Sequence, residues 1–341
     1  MTTDPRQLPF WQSNTIRDES IVCIGDGDNA TATLLYEAEA IASATSAAGD
    51  VSYVEGVDYS VDRNRRTVTR RPGSAMPFVS AAAVAAADGA LTHPQTVAIT
   101  YTRRQAPSTT PPLRDERARL PRLMRRLHAR ERITLVVTGD SISEGYDASG
   151  FHDLAPFAPA YPQLVAAGLE RCSAATVRLH NLATAGWTVA DGLWDTERIV
   201  APRPDLVIVA YGMNDACYAT GDEFAANVSQ LMARVRTDLT EVEFLLVSPM
   251  LPTPGCSWVQ HERFPEYQQA LHRLVADGVG LADLTAVWAW LHARKDPYAL
   301  SGNGLNHPND FGHRIYADII LAALGCYESL GPAGAGHDSR T

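Results

Sequence analysis

Hydrophobic and polar positions follow two different rhythms along this chain. From about Ser20 to Thr102, short apolar and β-branched runs, SIVCIG, TATLLYEA, VSYVEG, TVTRRP and TVAITYTR, are broken by Gly, Asp and Asn. Runs of this length between turn formers read as strands, and their regular spacing predicts a small antiparallel sandwich. The stretch GDVSYVEGVDYSVDRNRRTVTR looks like consecutive hairpins, with Asp62, Arg63 and Asn64 as a turn. The alanine-rich SAAAVAAADGA fits a short helix or an irregular crossover, and the pattern does not choose between them.

A Pro/Ser/Thr stretch, QAPSTTPPLRDE, has little to bury and reads as a linker. Beyond it the rhythm changes. The strand-length apolar runs ITLVVTG, TVRLHNLA, DLVIVAYG, EFLLVSP and VGLADL alternate with amphipathic stretches such as YPQLVAAGLE, AANVSQLMARVRTDL and PEYQQALHRLVADG. Near-continuous Val/Ile/Leu runs belong to parallel strands buried on both faces, so this half is an α/β sheet layered by helices. The expected layout is a β-rich region over 1–112, an α/β domain over 113–328 and a flexible tail over 329–341, with no internal repeat.

In an open parallel sheet, ligands bind beyond the carboxyl ends of the strands, so residues just past each apolar run are the candidates for chemistry. Gly139-Asp140-Ser141-Ile142-Ser143 follows the first run and presents a serine hydroxyl on a tight turn. Asn181 to Trp187 follows the second, and its Gly186 lets backbone approach a substrate closely. Gly212-Met213-Asn214-Asp215 ends the third, and Asn306-His307-Pro308-Asn309 opens a helical stretch near the C-terminus.

These four blocks, in this order, resemble those of the SGNH (GDSL-like) hydrolase family, over roughly Ile133 to Leu324. The resemblance implies a flavodoxin-like three-layer α/β/α fold with five parallel strands, and no cofactor or metal. It makes Ser141 the nucleophile and His307 the general base. The Ser141 and Gly186 amides and the Asn214 side chain become the oxyanion hole. A β-rich region ahead of such a domain is similar to the layout of several carbohydrate deacetylases. That likeness points to a short acyl ester of a carbohydrate or polyol, with an acyltransferase or a catalytically impaired ligand-binding homologue as alternatives.

The chemistry asks for the same parts. A serine hydroxyl needs a base within hydrogen-bond reach, and imidazole serves near neutral pH. Preorganised donors then stabilise the oxyanion, an amide such as Asn214 without titrating. One element departs from the family pattern. The family places an Asp three residues before the histidine, where this chain has Gly304, preceded by Asn303. The expectation is therefore a Ser–His dyad, with Asn303 orienting the imidazole through its side-chain oxygen and Asp283 or Asp310 as alternative carboxylates. Tyr146, Trp187, Tyr211 and Met213 stand beside the motifs as candidate pocket walls. Asp140 and Asp215 read as turn and capping groups, and His152 and His313 as structural. The loop LPTPGCSWVQHERFPE is the candidate for substrate selection.

Composition narrows the remaining classes. The 45% hydrophobic content of 341 residues supports a large core. The net charge of −10 argues against a nucleic-acid partner, and the one basic cluster, Arg114 to Arg132, carries Leu120, Leu123, Met124 and Leu127 at helical spacing. The expected partner is a small-molecule ester, with homo-oligomerisation left open. The first residues lack a secretory apolar run and no stretch approaches a membrane span, so no membrane association and a cytoplasmic location are expected. The five cysteines are odd in number and form no CxxC pair, which reads as buried free thiols.

Overall fold

The computed structural model describes residues 8–105 and 110–327. The first part of the chain forms strands β1 (Thr15–Ile21), β2 (Cys23–Ile24), β3 (Thr31–Thr33), β4 (Ala38–Ser46), β5 (Tyr59–Asp62), β6 (Thr67–Arg70) and β7 (Phe78–Val79), then helix α1 (Ala81–Ala85) and strand β8 (Val97–Arg103). They make two small sheets, β1-β8-β4 and β5-β6-β3-β2-β7. The predicted turn lies between β5 and β6, where the Asp62 carboxylate accepts the amides of Asn64 and Arg65. VSYVEG is not a strand: it contributes only isolated bridges, Thr45 with Ser52 and Glu55 with Tyr59. Val51 and Val54 there are exposed and Tyr53 is buried, so the run buries one side chain rather than a strand face. The alanine-rich segment becomes α1, capped by the Ser80 hydroxyl accepting from the Ala83 amide.

The linker expectation falls partly on residues 106–109 and the tail expectation wholly within 328–341, both outside the described residues. The basic cluster folds as α2 (Pro121–His128), with Leu123 and Leu127 buried and its arginines facing outward. There follow β9 (Arg132–Gly139), α3 (Ser141–Glu144), α4 (Tyr161–Ser173), β10 (Thr176–Asn181), α5 (Val189–Trp194), α6 (Thr196–Val200), β11 (Leu206–Ala210), α7 (Gly221–Asp238), β12 (Glu243–Val247), α8 (Arg263–Leu274), β13 (Val279–Ala282), α9 (Leu284–His292) and α10 (Asp310–Ala323). The five strands run parallel in the order β10-β9-β11-β12-β13, the flavodoxin-like arrangement. All five residues of β11 and of β12 are buried, as strands covered on both faces must be. The order reverses at β9, so a crevice opens beyond the ends of β10, β9 and β11.

One apolar core joins the two regions. Trp11 meets Tyr327 edge-on at 6.0 Å, and Phe10 lies 6.3 Å from Trp290. The free-thiol expectation is corrected by one bond. Cys172, at the end of α4, and Cys326, just past α10, form a disulfide with their Cα atoms 5.5 Å apart, while Cys23, Cys217 and Cys256 are free. Helix packing of α4 on α10 brings together two cysteines 154 positions apart, a pairing that spacing along the chain does not reveal. Among the described residues, no helix is long and apolar enough to cross a membrane, and no group of His, Cys, Asp and Glu could hold a metal ion.

Candidate active site

Strand β9 ends in a turn that starts α3 on Ser141. The Asp140 carboxylate caps that short helix by accepting the Ile142 amide at 3.0 Å, which fixes the serine at the first helical position. An amide at that position has no partner four residues back and is available to a ligand. Burial pushes Asp140 up to about 7 and Asp215 up to about 6. Asp215 ties two strand-end loops together by accepting the Val189 amide at 3.0 Å.

The Ser141 Oγ lies 2.9 Å from His307 Nε2, and His307 Nδ1 lies 2.9 Å from Asp147 Oδ2. An ionised carboxylate only accepts, so Nδ1 carries the proton and Nε2 presents its lone pair to the serine. Burial works against charge on Asp147, but hydrogen bonds from His307 and His152 outweigh it and hold the carboxyl below its usual range. The acid therefore stays ionised where a histidine base would operate.

This geometry corrects the expected dyad. The carboxylate against the imidazole is that of Asp147, six residues after Ser141, in a loop following α3. Gly304 stands at the family's acid position with φ +73°, and a Cβ there would lie 2.6 Å from the Tyr298 ring and 3.1 Å from Ala87. A side chain is excluded by both conformation and space. Two residues earlier, a Cβ on Gly302 would sit 2.4 Å from the Asp147 Cβ, so a bare backbone admits the substitute acid. Within the sequence Asp147 is a turn aspartate between tyrosine and small residues, with no spacing to the histidine that marks it.

Asn303 does not act through its oxygen on the ring. Its Oδ1 accepts the amides of Leu305, Asn306 and His307 at 3.0, 3.0 and 3.2 Å, while its Nδ2 lies 3.2 Å from His307 Nδ1. It shapes the turn that carries the base. Asp283 is far from this role: it caps α9 and binds Gln268 and His272, the latter at 2.9 Å. Asp310 accepts the Ser149 amide at 2.7 Å.

The Gly186 loop is tied to the serine turn by Thr184 N to Gly139 O at 3.0 Å and by Ala185 N to Glu144 Oε2 at 2.6 Å. Gly186 is exposed, with nothing within 4 Å of its Cβ direction. Asn214 gives one amide hydrogen to Trp187 O at 2.9 Å, which fixes the side chain and leaves its second hydrogen for a ligand. Of the candidate walls, Tyr146 is half-buried with its ring 5.4 Å from His307, and Trp187 is half-buried with the Arg198 guanidinium 6.0 Å from its ring. Tyr211 and Met213 are not walls. Both are buried in the core, and the Tyr211 hydroxyl is paired with Thr138 at 2.6 Å.

The model of the GDSL-like Lipase/Acylhydrolase family matches residues 137–315, more than half of the chain. The chain belongs to the GDSL-like lipase/acylhydrolase family. Among solved structures, this family member is similar to a two-domain esterase (CEX) active on acetylated mannans. The identity is 20% and the TM-score 0.50, over 62% of this chain and 54% of that one. The chain thus spans about half the length of that esterase, and the likeness is one of fold. It is also similar to LAE5, an alpha/beta hydrolase enzyme from the metagenome of Lake Arreo, Spain (25% identity, TM-score 0.48, 58% and 97% covered). A third similar structure is Axe2, an acetylxylan esterase from Geobacillus stearothermophilus (22% identity, TM-score 0.47, 57% and 95% covered). No curated protein matches.

Proposed function

We propose that this GDSL-family protein hydrolyses a carboxylic ester through an acyl-serine intermediate. The observation that carries the reading is the unbroken line Ser141 Oγ, His307, Asp147, with both links at 2.9 Å. His307 takes the serine proton as Oγ attacks the carbonyl carbon. The amides of Ser141 and Gly186 and the Asn214 side chain receive the oxyanion. Collapse expels the alcohol with the proton from His307, and water, deprotonated by the same imidazole, releases the acid. The Asp147 carboxylate on the imidazole supports turnover over a catalytically impaired binding protein.

For the substrate, the reading is a short acyl ester of a carbohydrate or polyol. The leaving alcohol takes its proton from His307 and so lies on that side of the site. There the Tyr146 ring packs 4.5 Å from Phe151, which is exposed, and offers an aromatic edge to a pyranose ring. The loop after β12 carries exposed Trp258 and joins the Asn214 turn through Gln260 N to Ala216 O at 3.1 Å. The fold neighbour active on acetylated mannans agrees with this class.

The test is acyl release from 4-nitrophenyl acetate, butyrate and octanoate and from acetylated xylo- and manno-oligosaccharides, with mass spectrometry of the protein. Wild type should release acetate fastest and show an acyl adduct on Ser141, while Ser141→Ala and His307→Ala lose turnover. Full activity in Ser141→Ala would refute the mechanism.

A further inference from the structure

Asp147 is shared between two histidines. Its Oδ2 faces His307, and its Oδ1 lies 2.7 Å from Nε2 of His152, five residues on in the same loop. No other hydrogen bond to this carboxylate is seen among the described residues. Asp147 also has φ +65°, in the left-handed region that aspartate visits as a single residue. We propose that His152 is a positioning residue for the triad: its Nε2–H locks the Asp147 carboxylate against His307, and a proton added to His152 weakens the base that the carboxylate supports.

The His152 side chain is about one-third exposed and the Asp147 side chain 9% exposed, so the clamp lies at the boundary between solvent and the buried acid. Phe151 meets the His152 ring edge-on at 5.4 Å and packs on Tyr146, which packs on His307. The carboxylate, bonded to both imidazoles, closes this chain of rings into a circuit. Other charged groups around it are few. His313 of α10, pushed down to about 4 by burial, donates to or accepts from nothing titratable here and contacts Tyr146 O at 3.0 Å. Asp310 of α10, pushed up by burial, receives the Ser149 amide, Glu144 of α3 receives that of Ala185, and Asp153 is exposed beside His152.

The consequence for rate follows from charge. At the transition state His307 becomes an imidazolium, stabilised by a full negative charge on Asp147. A cationic His152 on the other oxygen offsets that charge. A proton on His152 therefore slows the step, as a proton on the base itself does.

The proposal rests on the hydrolase reading, and a readout that needs no turnover separates the two. Proton NMR of wild type should show a low-field signal from the His307 Nδ1 proton, identified by its absence in His307→Ala. In His152→Ala that signal should shift upfield or broaden, and in His152→Gln, whose amide reaches the same oxygen without titrating, it should persist. With a turned-over ester, His152→Ala should lower kcat about 10-fold at pH 8 with little change in KM, and His152→Gln should restore most of it. The acid limb should steepen beyond a single protonation in wild type and reduce to one in His152→Gln. An unchanged low-field signal in His152→Ala, or a loss in His152→Ala that His152→Gln does not restore, would overturn the proposal. Turnover that survives Ser141→Ala would instead overturn the hydrolase reading and leave the NMR result to stand by itself.

Discussion

At the scale of single residues, the triad acid is the sharpest point of dependence. In Asp147→Asn the amide occupies the same place, but its nitrogen end donates and the His307 ring is no longer held with its proton on Nδ1. The expected outcome is a fall in kcat on the order of 10³–10⁴ with KM little changed and an unaltered melting temperature, measured on 4-nitrophenyl acetate. A loss of under 10-fold would mean that Asn303 or water orients the ring well enough alone. Ser141, Gly186 and Asn214 could be singled out in the chain because each follows a strand end, and His307 because its block opens the last helix, in a recurring order. Asp147 could not, because its role arises from the φ +73° backbone and crowding at Gly304, which are properties of the folded loop. Tyr211 and Met213 misled for a related reason. Residues at the end of a buried strand alternate between rim and core, and the sequence does not say which side each faces.

At the scale of elements, the loop bearing His307 is suspended from two sides. The Thr253 amide and hydroxyl donate to Leu305 O and Gly304 O at 2.7 and 2.8 Å. From the β-rich region, the Thr92 amide and hydroxyl donate to Gly302 O and Ser301 O at 2.8 and 2.7 Å. Thr92 is buried, so Thr92→Val keeps its shape and loses one hydrogen bond, leaving a buried carbonyl short of a donor at a cost of about 1–3 kcal/mol. Thermal melts should show that loss, kcat should fall several-fold as the base loosens, and Thr92→Ser should recover both. A drop in stability with kcat intact would confine Thr92 to packing. The five parallel strands were legible because burial on both faces leaves only apolar residues. Strand β4, AEAIASATS, was not, since six of its nine residues have small side chains of Ala or Ser and one face is open to solvent.

At the scale of the molecule, the β-rich region and the α/β domain are joined by a buried charge pair as well as by apolar packing. Glu19 on β1 and Lys295, just past α9, meet at 2.8 Å with both side chains fully buried. The Glu19 carboxylate also accepts the Tyr101 hydroxyl at 2.7 Å and the Leu35 amide at 2.9 Å, and the lysine donates to Ser20 O. Such a pair contributes little net stability over apolar residues of the same size, but breaking it strands a charge in the core. Glu19→Ala should therefore destabilise by about 3–5 kcal/mol, whereas Glu19→Leu combined with Lys295→Met should recover much of that loss. Because Lys295 stands only a few residues before the Ser301 to Asn309 loop, the damage should reach the active site. Differential scanning calorimetry of Glu19→Ala should give one transition shifted down as a whole, with activity lost over the same temperatures. Two separated transitions, with the later one at the wild-type temperature and carrying the activity, would mean that the two regions fold independently and that the β-rich region can be removed without loss of the base.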